Sequence, residues 1–468
     1  VIPLRISQIA AFIDGVPSAD CDRDAVITGE VRIDSRLIKS GDLFVAVEGE
    51  TFDGHDFTDR AHESGAVAAI VSRPVAGPHV LVTDSVQALG RLAHGVVTHL
   101  PDLTTIALTG SSGKTSTKDL LAQVMPMIGP TVAPLGSFNN ETGLPLTALG
   151  VDGRTRFLIA EMGARGRGHI AYLCGITPPD IGIVLNVGSA HVGEFGSRQA
   201  IAAAKGEIVE ALESDGLAIL NEDDDLVRGM RSRTKARVIT FGRAESADVQ
   251  ISDIALAPDG SSSFAASYRD ERAMIQLPLI GEHHVLNAAA VIAVGVSMDV
   301  PLSDLAAQLG QVRALSRWRM EVHTTQDNIT VINDAYNANP ESVTAALRSL
   351  AAISQSQATQ NSATRRSIAV LGEMRELGES SQASHEEIGR LTVELGIGQV
   401  IVVGAAASAI AEARSAAGMS EATVLVASPQ EAISLLESFV SRDDVVLVKA
   451  SRAVGLEVVA AAVAGLRP

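Results

Sequence analysis

Along most of the chain, short apolar runs alternate with segments whose apolar residues recur every three or four positions. The runs LFVAVEG (43–49), AAIVSR (68–73) and HVLVTD (79–84) read as strands separated by helical patterns. After Pro101-Asp102 a new unit opens with TTIALTG (104–110), a buried strand, then a glycine turn, then a helix from about Lys114. RFLIAEMG (156–163), IGIVLNVG (181–188), GLAILN (216–221) and RVITFG (237–242) continue the strand–helix alternation of a doubly wound α/β sheet. Near 248–280 the pattern predicts short β-like pieces, then the Ala-rich helix HHVLNAAAVIAVGV (283–296). A third section, from about Arg313–Met320, repeats the alternation with NITVINDAY, SIAVLGEM, QVIVVG and DVVLVKAS. The Ser/Gln/Thr-rich segment 352–366 interrupts it and reads as a mobile surface loop. The expected organisation is three α/β domains, 1–102, 103–314 and 315–468.

The 468 residues carry 37 Lys+Arg against 55 Asp+Glu, a net charge of −18, which argues against general nucleic-acid or anionic-membrane binding. No apolar run reaches the ~18 residues of a membrane span, so no membrane insertion is expected. The N-terminus lacks a signal-peptide pattern. Cys21 and Cys174 lie far apart and form no metal spacing. Together these readings point to a reduced, cytoplasmic protein.

The stretch LTGSSGKTST (108–117) carries the first chemistry. The common phosphate loop, G-x-x-x-x-G-K-[ST], would put a glycine at Leu108. Gly113, Lys114 and Thr115 match it, and the strand–turn–helix context makes nucleotide binding the favoured reading over a plain turn. Backbone N–H groups of Gly110, Ser111, Ser112, Gly113 and Ser116 would face phosphates. Lys114 would lie along the β- and γ-phosphates, and the Thr115 hydroxyl would hold Mg²⁺. Glu161 ends an apolar strand, where α/β sheets place ligand groups. Taken alone, it could equally be a surface acid, His191 a structural histidine and Lys205 a solvated helix lysine.

The ordered blocks TGSSGKTST, LGSFNNETGLPLTAL, AEMGARGRGHI, NVGSAHVGEFGS, AAAKGEIVEAL, GEHHVLNAAA, RWRMEV, DAYNANPESVTAAL, VLGEMRELGESS and LVKASRA resemble the Mur ligase family over nearly the whole chain. The family's loop starts T-G-x-x-G-K-T, so Leu108 belongs to the incoming strand. SFNNETGLPLTAL and DAYNANPESV resemble the branch that adds D-Ala-D-Ala to UDP-N-acetylmuramoyl-tripeptide. The sister branch, which adds a diamino acid, typically carries D-N-P-R, and the nearest string here is NANPES (337–342). Ala450 stands where the family pattern has glycine.

The resemblance implies an N-terminal UDP-binding domain, a central P-loop ATPase domain and a C-terminal Rossmann-like domain. It implies ATP-dependent amide formation through an acyl phosphate, in peptidoglycan synthesis, by a monomer whose partners are its small-molecule substrates. Two Mg²⁺ are implied: one on Thr115 and Glu161, one involving His191 and a carbamylated Lys205. Lys114, Lys205 and His191 are the implied catalytic residues. Asn287 would approach adenine, the alternative being a helix cap. Arg319 would clamp phosphate, and Asp334 with Asn337 would face the ribose. Asn139, Asn140 and Thr142 would contact the muramoyl group, Ser35 and Arg36 the UDP, and Lys449 and Ser451 the dipeptide. The competing readings are the sister ligase, folylpolyglutamate-synthetase-like chemistry and a P-loop NTPase switch.

Overall fold

The computed structural model describes residues 2–49, 51–189, 192–356 and 365–466. Its centre is a nine-stranded sheet. From one edge the strands run Thr131–Val132, Phe157–Glu161, Thr104–Thr109, Ile181–Val184, Leu217–Asn221, Arg237–Gly242 and Val249–Leu256, all parallel. Ser261–Tyr268 and Glu271–Ile280 extend it as an antiparallel meander. The parallel strands are apolar on both faces because helices cover both. Ile106, Ala107 and Leu108 are fully buried in succession, so Leu108 is a strand residue.

The region 248–280 differs from its expectation. It forms strands of 8, 8 and 10 residues instead of short pieces. Glu271–Ile280 alternates buried and exposed side chains toward its end, as a strand with one wet face does. The helix His283–Ser297 lies across this sheet, buried almost all round. Its alanines permit that close packing.

A five-stranded sheet precedes the central one, in the order Val16–Pro17, His79–Leu81, Ala68–Val71, Leu43–Val45, Val31–Arg32. Its covering helices Ile6–Ile13 and Ser85–Thr98 share one apolar cluster with Leu144, Leu158 and Leu173 of the central layer. The two units are therefore joined by core, not by linker alone. A six-stranded sheet follows, in the order Glu321–Thr324, Thr330–Asn333, Val445–Lys449, Ser367–Gly372, Gln399–Val403, Thr423–Val426. Only its first strand is antiparallel.

The expected surface loop at 352–366 needs correction at both ends. Residues 352–356 complete the helix Pro340–Ser356, and Ile353 and Ser354 are buried on its inner face. Arg365 is buried and donates to the carbonyls of Asp443 and Asn328 and to Thr330 Oγ1. Residues 357–364 lie outside the described ones.

Candidate active site

The C-terminal strand ends of the central and six-stranded sheets face one cavity of about 460 Å³. The phosphate loop forms its floor. Gly113 has φ +81° and starts the helix Lys114–Val124. A Cβ there would be strained and would sit 2.5 Å from Asn287 Oδ1, so only glycine lets the loop pass beneath Asn287. Lys114 Nζ donates to the Gly110 carbonyl at 2.7 Å. Burial lowers its pKa and nearby Arg319 lowers it further, against the pull of Glu161.

Glu161, the last residue of its strand, is fully buried. Its Oε1 accepts from Asn139 Nδ2 at 2.8 Å and from Thr115 Oγ1 at 3.3 Å. Its Oε2 is buried without a hydrogen-bond partner among the described residues. A bare carboxylate oxygen beside a hydroxyl is a hard-oxygen donor set of the kind Mg²⁺ takes, so these residues fit the ion. Lys205 ends the helix Arg198–Lys205 and is 4% exposed. Burial, and then the charge of Lys114, hold its pKa well below the usual lysine value.

The six-stranded side supplies the opposite wall. Arg319 reaches down to Thr115 Oγ1 at 3.3 Å and stacks over Tyr336 at 4.1 Å. Trp318 and Met320, on either side of it, both have left-handed backbones, φ +59° and +50°. The turn is held by Met320 N–H on Asp334 Oδ1 and by Tyr336 N–H on the Trp318 carbonyl. Asp334 also accepts from Lys449 Nζ at 2.5 Å, and Lys449 donates further to the Asn337 carbonyl.

Of the residues singled out from the sequence, Ser111, Ser112, Gly113, Lys114, Thr115, Ser116, Asn139, Asn140, Glu161, Lys205, Asn287, Arg319, Asp334, Asn337 and Lys449 line this one cavity. Gly110 lies just behind it, as acceptor for Lys114. Asn287 is the fifth residue of its helix, so the capping alternative falls. Its Nδ2 is buried without a partner among the described residues. Thr142 is not on the wall; its hydroxyl donates to Asn140 Oδ1, which also accepts the Gly143 N–H. Ser451 is buried behind Lys449, where its Oγ accepts the Arg375 N–H. Ser35 and Arg36 lie apart on the first sheet's unit. Arg36 is exposed and paired with Asp34, whose carboxyl it holds down at about 2. His191 lies outside the described residues.

The three sheet units also match known sequence families in order. Residues 28–95 match the Mur ligase family catalytic domain, 108–295 the Mur ligase middle domain and 318–452 the Mur ligase glutamate ligase domain. The chain is 43% identical to the UDP-N-acetylmuramoyl-tripeptide–D-alanyl-D-alanine ligase of Mycobacterium tuberculosis, over 98% of this chain and 97% of that one. The chain belongs to the Mur ligase family. Among solved structures, this Mur ligase resembles MurF from Acinetobacter baumannii, with TM-score 0.87, 31% identity and 99% of each chain covered. It also resembles MurF ligase from Thermotoga maritima in complex with ADP, with TM-score 0.80 and 31% identity over 94% of this chain and 98% of that one.

Several wall residues of this Mur ligase escaped the sequence reading. Asn186 Oδ1 accepts the N–H groups of Ser111 and Ser112, and its Nδ2 donates to the Ser112 carbonyl, so it braces the phosphate loop. Ser137 Oγ lies 2.8 Å from Thr115 Oγ1. His283 and His284 pack ring to ring at 4.2 Å, beside Asn287. A single Asn, Ser or His next to a strand or turn has no periodicity to mark it. For Asn186 the available signal was its place two residues beyond a buried strand, the same position logic that marked Glu161.

Proposed function

We propose that the chain is an ATP-dependent amide ligase that joins D-Ala-D-Ala to UDP-N-acetylmuramoyl-tripeptide through an acyl phosphate. The observation that carries the chemistry is the two-sided cavity. A phosphate loop on one wall faces a cationic clamp, Arg319, on the other, with the unpaired carboxylate oxygen of Glu161 between them. The named substrates of the whole-chain relatives supply the identity of the acyl donor and the amine that accepts the acyl group. ATP use is supported by the ADP-bound structural relative.

The tripeptide's terminal carboxylate attacks the γ-phosphorus of ATP and ADP leaves. The dipeptide amine then adds to the acyl phosphate carbon, and phosphate departs from the tetrahedral intermediate as the amide forms. Bringing carboxylate and triphosphate together is an electrostatic problem more than a covalent one. Lys114, released from the Gly110 carbonyl, lies along the β- and γ-phosphates, while the loop N–H groups of Ser111, Ser112, Gly113 and Ser116 hold their oxygens. Arg319 neutralises charge from the opposite wall. Asn287 offers its free Nδ2 to the adenine, and Asp334 with Asn337 faces the ribose. We assign Lys449 to holding Asp334 in place instead of to the dipeptide, because its ammonium is buried between Asp334 and Asn337. Asn140, held from behind by the Thr142 hydroxyl, faces the muramoyl side, with Asn139 orienting Glu161. Ser35 and Arg36 remain assigned to the UDP end, and Ser451 to the wall behind Lys449.

Thr115 and Glu161 would hold one Mg²⁺, and His191 with a modified Lys205 a second. When bound, the ions supply neutralisation of the phosphate oxygens and the attacking carboxylate. The Lys205 amine, whose pKa burial lowers, adds in its unprotonated form to carbon dioxide and releases a proton, leaving a carbamate anion. That converts a side chain without negative charge into an anionic ligand. A ligase of UDP-linked substrates built this way works in the cytoplasm as a monomer.

The test is phosphate release by the purified chain with ATP, Mg²⁺ and UDP-N-acetylmuramoyl-tripeptide. Release is expected to require D-Ala-D-Ala. Equal release without dipeptide would favour an NTPase switch. Stimulation by lysine or diaminopimelate on the UDP-muramoyl-dipeptide would favour the sister ligase.

A further inference from the structure

Among the described residues, the loop following the strand Ile181–Val184 touches the six-stranded unit at two points. The Ser189 N–H and hydroxyl both donate to Glu341 Oε1, at 2.7 and 2.9 Å. Glu341 is the second residue of the helix Pro340–Ser356. Further on, the Gly193 N–H donates to the Glu376 carbonyl at 3.2 Å. Both points are approaches that side chains would block. A Cβ on Gly188 would lie 2.7 Å from Glu341 Oε1, and one on Gly193 would lie 2.6 Å from Gly378 N and 2.9 Å from its Cα.

The same loop is fastened to the phosphate loop. The Gly188 N–H donates to Ser111 Oγ at 2.9 Å, next to the Asn186 brace on Ser111 and Ser112. A continuous path therefore runs from the six-stranded unit through Glu341, Ser189 and Gly188 to Ser111. Glu341 is solvent-exposed and the contacts are polar, the character of an interface that docks and releases.

We propose that Glu341 and the Gly193–Gly378 contact form a latch that couples docking of the six-stranded unit to the set of the phosphate loop. Glu341, Ser189 and Gly193 are thus positioning residues for the ligation. The inference rests on the ligase reading for its activity readout, and only for that.

Gly193→Ala is the sharpest probe. Gly193 lies in the short helix Val192–Phe195 and is not among the positive-φ glycines, so alanine suits its own backbone. Its methyl would meet the backbone of Gly378, which has no rotamer to swing away. The full-length variant is expected to keep the parent's melting temperature. In X-ray scattering, a non-hydrolysable ATP analogue with Mg²⁺ should compact the parent but not the variant. Its kcat should fall about tenfold or more, as for misplacement remote from the chemistry. Glu341→Ala should behave the same way, and Glu341→Gln should recover most of the loss, since an amide oxygen still accepts both hydrogens. Compaction and kcat within twofold of the parent in Gly193→Ala and Glu341→Ala would overturn the latch. If the parent itself lacks dipeptide-dependent phosphate release, the ligase reading fails, and scattering alone decides the latch.

Discussion

Lys205 is 4% exposed, and burial and then the charge of Lys114 hold its pKa well below the usual lysine value. An amine held this far below its free pKa loses its proton sooner in the fold than in the unfolded chain, which stays protonated up to about the free pKa. The unfolded state then binds more protons, so this group's contribution improves as pH rises toward 10.5 and is unfavourable at pH 7. Methionine has similar length and no charge to desolvate. In metal-free and bicarbonate-free buffer, Lys205→Met is expected to stabilise the protein by about 1–2 kcal/mol. Ligation should be lost in the same variant. Calorimetry beside the phosphate-release assay checks both, and a destabilised variant that still ligates would refute the assignment. No pattern in the sequence marked Lys205 as special. In AAAKGEIVEAL it reads as an ordinary helix lysine, and only the resemblance singled it out, because burial of a helix end is decided by what packs over it.

The phosphate loop depends on the elements around it. Its floor is the strand Thr104–Thr109, its exit the helix Lys114–Val124, and its brace is Asn186 from the neighbouring strand's end. Removing the Asn186 side chain leaves the Ser112 N–H without its acceptor, while the Ser111 N–H keeps the Asn186 backbone carbonyl. Unpaired buried donors cost roughly 1–3 kcal/mol. Asn186→Ala should therefore weaken ATP binding about tenfold or more and lower the melting temperature. Nucleotide titration with a fluorescent ATP analogue measures the first, and unchanged affinity would show that the loop holds its shape unaided. The elements themselves were largely legible. A run such as TTIALTG can only be a strand covered on both faces, and the Gly113–Thr115 turn names its own chemistry. What was not legible had weak local signals: two-residue strands such as Thr131–Val132, and the meander 249–280, whose length comes from pairing with neighbours. The helix Pro340–Ser356 outran its polar composition because Ile353 and Ser354 face the core.

At the scale of the molecule, the active cavity belongs to no single sheet, so its stability is partly a docking stability. Sequence order could place Arg319 and Asp334 on a later unit than the phosphate loop, but not bring them to Thr115 across the cavity; that follows from sheet-to-sheet packing. The cleft also closes over His283 and His284. Burial holds the His283 ring down at about 4 and His284 well below 6.5, and each ring is opposed by its neighbour or by Lys449. Asp334 on the facing sheet and Glu282 on the same helix pull His283 the other way but do not win. Both rings are neutral when folded, and both take protons when unfolded below 6.5. Their contribution to stability is thus complete above pH 6.5 and is lost as pH falls toward 4, at up to ~1.4 kcal/mol per pH unit for each ring. Asp34, held at about 2 by Arg36, titrates below that window and does not shape it. The melting temperature is expected to drop steeply between pH 6.5 and 4.5. A double variant, His283→Asn with His284→Asn, should flatten the slope in that window while leaving the pH 8 value within a few degrees. If the double variant keeps the parent's full slope, the histidine pair is not the proton-linked element, and the carboxylates lining the cavity must carry the acid sensitivity instead.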